Sequence, residues 1–144
     1  MLSETLTLPC GAVLPNRLAK AAMTEGLATS DGVPTPELER LYGLWSDGGA
    51  GMLLTGNIQI DRHHLERPGN VIIDGEPDTR LQAALAAWAA AATRQGNHFW
   101  AQLSHAGRQT PKAVNPHPKA PSAITQGLPG GQFGQPVELT PSEI

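Results

Sequence analysis

An alanine-rich helical segment closed by Gly96 runs straight into Asn97-His98-Phe99-Trp100-Ala101-Gln102-Leu103-Ser104-His105-Ala106-Gly107-Arg108. This stretch constrains the fold more than any other. It begins apolar and ends abruptly in hydrogen-bonding side chains and a glycine. That is the pattern of a buried parallel strand delivering its last residues to a ligand face. Gln102 is its most informative residue, because a neutral amide in such a strand must find partners for its carbonyl and both N–H donors. A flat heterocycle with alternating acceptors and donors satisfies it, and so does a neighbouring loop.

Two earlier segments carry the same signature. Arg17–Met23 reads as a strand of small residues ending in Thr24-Glu25-Gly26, and Ala50–Asn57 as an apolar strand ending in Thr55-Gly56-Asn57. Between them, Thr35 caps a helix with Pro36 at its first position and Glu37 and Glu39 at its positive end. Leu38, Leu41, Tyr42 and Trp45 give that helix one apolar face, and Gly48-Gly49 ends it. A second helix is expected from about Asp78 to Gln95, with Leu81, Leu85, Trp88 and Ala92 as its stripe. A short hairpin over Leu6–Asn16, around Pro9-Cys10-Gly11, precedes the whole array.

Strand, helix, strand, helix, strand is the order of right-handed parallel units, so the fold class is α/β. A long segment of loop chemistry follows from Thr110 to Pro141. Then Thr140-Pro141-Ser142-Glu143 reads as a helix start one residue before the chain ends. The expectation is the N-terminal portion of a TIM (β/α)8 barrel, incomplete within these 144 residues. Such barrels take about 250 residues and hold their chemistry at the C-terminal strand ends.

Three of these blocks, in order, resemble the Old Yellow Enzyme family of flavin oxidoreductases. They are Asn16-Arg17-Leu18-Ala19-Lys20-Ala21-Ala22-Met23-Thr24, Gly49-Ala50-Gly51-Met52-Leu53-Leu54-Thr55-Gly56-Asn57, and Ala101-Gln102-Leu103-Ser104-His105-Ala106-Gly107-Arg108. The later Lys119-Ala120-Pro121-Ser122-Ala123-Ile124 is similar to the family's segment after the third strand. The NADH:flavin oxidoreductase and NADH oxidase-like branch is the nearest.

The resemblance implies that residues 1–144 are the N-terminal part of a single FMN-binding barrel domain. It implies hydride transfer from NADH or NADPH, through flavin N5, to an activated alkene such as an α,β-unsaturated carbonyl compound. Ala21, Ala22, Met23 and Thr24 would line the flavin, Thr24 near O4. Asn57 stands where a small residue contacts the ring, and Gln102 matches the glutamine that bonds the pyrimidine. Ala22 departs from the proline frequent in the family, and no aromatic stands near Gly26-Leu27. The proton donor and the substrate-orienting His/Asn pair are expected beyond residue 144, so no catalytic residue is assigned here. The contrasting reading is a truncated, non-catalytic fragment or pseudoenzyme with little flavin binding of its own.

Net charge is −3 with a pI near 5.9, giving no electrostatic footprint for nucleic acid or anionic membrane. The N-terminus has no signal-peptide pattern, and the single cysteine fits a reducing compartment, so the expected location is the cytoplasm. Cys10 reads as a small apolar filler. His63-His64 reads as a solvated loop rather than a metal site, since adjacent residues point apart and no cysteine stands at ligand spacing. His105 reads as a structural group, and Arg108 as a loop-orienting one. No metal is expected. A metal-dependent hydrolase barrel has only scattered histidines behind it.

Overall fold

A computed structural model describes residues 1–127 and 130–143. The chain opens with an antiparallel hairpin, β1 (Leu6–Thr7) and β2 (Val13–Leu14), pairing Leu6 with Leu14 and Thr7 with Val13. Then come β3 (Ala19–Lys20), α1 (Pro36–Asp47), β4 (Met52–Gln59), β5 (Val71–Ile72), α2 (Thr79–Ala92) and β6 (His98–Ser104). A 3-10 turn at Gly107–Gln109 leads to β7 (Lys119–Ala120), which pairs with β8 (Val137–Glu138).

The organising sheet is parallel. β4 lies at its centre, with β6 along one side and β3 and then β5 along the other. The expected succession of strand and helix is therefore present, including the hairpin ahead of it. The first strand is shorter than the sequence suggests. Only Ala19 and Lys20 of Arg17–Met23 pair with β4, because a run of alanines has little to pack on a pleated surface. Residues 21–26 continue over the end of β4 as irregular chain.

Both helices cover one face of the sheet. Leu38, Tyr42, Leu53, Ile58, Val71, Trp88 and Ala92 form the core, with Trp45, Leu85 and Phe99 packed against it. The Tyr42 ring is its hub, meeting Trp45, Trp88 and Phe99 edge-on at centroid distances of 4.8, 5.1 and 5.3 Å. Aromatic rings prefer that geometry because a positive ring edge meets a negative face. Asp78 caps α2 by accepting the Leu81 N–H. Thr35 does not cap α1 with its side chain; its hydroxyl donates to the Leu27 carbonyl and ties the helix start to the preceding loop. Cys10 is exposed on the hairpin turn, not packed as a filler.

Candidate functional site

The site begins with an irregularity in the sheet. Leu54 pairs with Trp100, yet Asn57 pairs with Gln102, so β4 holds one residue more than β6 over this span. The bulge takes the Gln102 N–H out of the regular ladder, and the buried Thr55 hydroxyl accepts it at 2.8 Å. Bulges of this kind re-aim side chains. Here Asn57 and Gln102 stand opposite each other, and the Gln102 Nε2 donates to Asn57 Oδ1.

Gly56 lets the end of the first strand block cross directly over the bulge. A Cβ there would strike the Met23 carbonyl oxygen and lie 2.8 Å from the Thr24 Cα. Thr24 is thus laid beside Asn57, whose backbone N–H reaches its Oγ1 at 3.5 Å.

A loop residue that sequence reasoning missed completes the row. Glu66 Oε2 accepts from the Thr24 hydroxyl at 3.0 Å and from Asn57 Nδ2 at 2.7 Å. Its other oxygen accepts two hydrogen bonds from Arg67, at 2.9 and 2.6 Å. Burial works to raise the Glu66 pKa, but the bonds from Asn57, Thr24 and Arg67 together outweigh it and hold the carboxyl below its usual range. The loop is fixed in turn. Asn70 accepts the Arg67 N–H and donates to the Asn57 carbonyl. Gly69, with φ of +80°, presses so closely on Gly26 that a Cβ would sit 2.5 Å from the Gly26 oxygen.

The first block is anchored from below. Lys20 Nζ, with its side chain 9% exposed, donates to the Leu54 carbonyl, the Tyr42 hydroxyl and Glu25 Oε1. It lies 4.3 Å from the Trp45 ring centroid. The Tyr42 hydroxyl donates to Glu25 and accepts the Gly56 N–H at 3.2 Å. Burial lowers the Lys20 pKa, against the pull of Glu25.

Of the residues expected to meet a flavin, Thr24, Asn57 and Gln102 therefore come together in one continuous row. Ala21 and Met23 are exposed beside it and Ala22 is half-buried. Among the described residues, Gln102 Oε1 accepts no hydrogen bond. The Thr24 hydroxyl proton, by contrast, is committed to Glu66.

The histidines form a second cluster at the same strand ends. His64 is buried, contrary to the expected solvated loop. Its Nε2 accepts the Lys119 N–H at 2.8 Å, so its Nδ1 carries the proton and donates to Asp61 at 2.7 Å. His105 stacks on it at 4.2 Å and accepts the Gly107 N–H through Nδ1. Ligand atoms of Asp61, His64 and His105 lie within 4.8 Å of one another. Each imidazole lone pair is taken by a backbone N–H, and through His64 the loop at Asp61 is tied to the chain at Lys119.

These strand-end residues can be set beside known proteins. An NADH-dependent flavin oxidoreductase of Hypocrea jecorina is 34% identical over 164 residues, spanning 99% of this chain and 39% of that protein. A Talaromyces variabilis protein of the same description is 33% identical, spanning 99% and 38%. The old yellow enzyme homologue of Zymomonas mobilis superposes with a TM-score of 0.82 at 26% identity, over 99% of this chain and 40% of that one. The chain is related to the flavin oxidoreductases of the Old Yellow Enzyme family. A morphinone reductase variant, solved in complex with tetrahydroNAD, also matches, with a TM-score of 0.80 at 25% identity over 99% of this chain and 41% of that one. No family model matches. The chain spans about two fifths of the length of these relatives. No helix among the described residues is long and apolar enough to cross a membrane.

Proposed function

We propose that this chain forms one wall of an FMN site in a cytoplasmic oxidoreductase that passes hydride from NADH or NADPH to an activated alkene. Residues 1–144 are then the N-terminal part of a single (β/α)8 barrel, with the proton donor and substrate pair contributed by later strands. The observation that carries the reading is the row itself. Thr24, in the irregular chain after β3, meets Asn57 and Gln102, near the ends of β4 and β6, on the C-terminal side of the sheet, where barrels of this kind hold ligands.

FMN, when bound, supplies the hydride chemistry, and the protein supplies orientation. The residues present fit such a group. Gln102 offers an unpaired carbonyl oxygen to a polar ring edge, while Ala21, Ala22 and Met23 bring backbone and an apolar side chain close without bulk. Holding a flat ring against several fixed groups is how positioning lowers a barrier without covalent help.

The test is FMN binding by Gln102→Leu in the native protein. Removing the amide leaves ring polar atoms unmatched at a cost of about 1–3 kcal/mol, or roughly fivefold to 150-fold in Kd. Affinity equal to the wild type would remove Gln102 from the site.

A second reading concerns residues 1–144 in isolation. β6 is exposed at Trp100 (39%) and Leu103 (66%), an apolar edge of the sort that pairs with further chain. The isolated piece is then a non-catalytic fragment that holds flavin poorly, and titration of FMN against it checks this directly.

A further inference from the structure

Glu66 is the one charged group in the row, and a carboxylate held ionised is an acceptor only. That fact propagates. Asn57 must turn its Nδ2 toward Glu66, which leaves its Oδ1 facing Gln102. Gln102 must then turn its Nε2 toward Asn57, which leaves its own Oε1 facing outward. Thr24 is governed in the same way, since its only proton is spent on Glu66 while its Oγ1 accepts the Asn57 N–H.

We propose that Glu66 is the positioning residue of this site: through Asn57 it fixes the orientation of the Gln102 amide, with one N–H held by Asn57 and Oε1 left to accept an N–H from a ligand edge. The inference rests on the flavin reading, in which that edge is the pyrimidine N3–H. Glu66 itself does not touch the ring. It acts by denying the two amides their flipped orientations, in which Gln102 would present its NH2 and repel an N–H edge. Arg67 supports it by occupying the second carboxylate oxygen, and the close approach of Gly69 to the Gly26 backbone holds the loop at the required height.

The experiment compares FMN with its N3-methyl analogue, which lacks that donor, by quenching of flavin fluorescence on the native apoprotein. Wild type is expected to prefer FMN by roughly tenfold, the worth of one well-placed hydrogen bond with an unmatched alternative. In Glu66→Leu the preference falls to about unity, because both amides are free to turn. General weakening of both flavins with the preference intact is what a merely structural Glu66 would give, and it overturns the inference. Wild type binding the two flavins equally also overturns it, while leaving the flavin reading in place. Wild type binding neither removes the flavin reading and this inference with it. If thermal melting shows Glu66→Leu to be unfolded, Asn57→Ser cuts the row between Glu66 and Gln102. Loss of the preference there supports the inference, and its retention refutes it.

Discussion

Replacing Lys20 by methionine tests whether the site rests on a buried ionic anchor. The Lys20 ammonium spends its three donors on the Leu54 carbonyl at 2.9 Å, the Tyr42 hydroxyl at 3.1 Å and Glu25 at 3.2 Å. The side chains of Lys20 and Glu25 are only 9% and 11% exposed. Methionine matches the hydrocarbon stem but leaves Glu25 with a buried charge and no counter-ion. Breaking such a pair from one side costs about 3–5 kcal/mol. At roughly 2–4 °C per kcal/mol for a domain of this general size, the melting temperature should drop on the order of 10 °C. The double variant Lys20→Met, Glu25→Gln removes both charges and should recover more than half of that loss. Differential scanning calorimetry of wild type, both single variants and the double variant closes the cycle. A drop of less than about 2 °C for Lys20→Met, or a double variant no more stable than the single, would refute the buried-pair reasoning.

Two further perturbations probe the same strand ends. Gly56→Ala drives a Cβ against the Met23 oxygen and to 2.7 Å from Glu25 Oε2, and such overpacking should cost about 1–3 kcal/mol while displacing Thr24 and weakening FMN binding; wild-type melting would show that the crossing is looser than described. Burial, helped by His64 and opposed by Asp61, holds the His105 imidazole below the usual histidine range. Unfolded His105 then takes up its proton at higher pH than folded His105, so stability should decline as pH falls from about 6.5 through the lower folded value and not above it. Urea midpoints at neutral and mildly acid pH should show that slope, and His105→Gln should flatten it; an unchanged slope in the variant would assign the acid sensitivity elsewhere.

The features legible in the sequence are those with a local cause. The face of Leu38, Tyr42 and Trp45 follows from helical spacing, and the Asp78 cap from a single side chain reaching three residues ahead. Gln102, Asn57 and Thr24 were legible as strand-end polar residues because an apolar run that stops in polar groups needs an external reason. What escaped the sequence is non-local. Glu66 lies in an irregular loop with no periodicity, and its partner Thr24 is 42 residues away. His64 read as solvated because its burying partner, Lys119, comes 55 residues later. The bulge between Leu54 and Asn57 leaves no trace in composition, since it exists only relative to β6. The run Arg17–Met23 failed as a full strand for a local reason, its shortage of side chain to pack, and this was visible in its alanines.

The contact between Gly26 and Gly69 carries a consequence for how such a pocket can diversify. The tip after the first strand and the loop bearing Glu66 meet so closely that a side chain at Gly69 would run into the Gly26 backbone. The loop cannot take a side chain at Gly69 without lifting the tip. A change of shape at this point of the rim therefore involves both segments, and an engineer grafting a new loop here would have to transplant them as one unit.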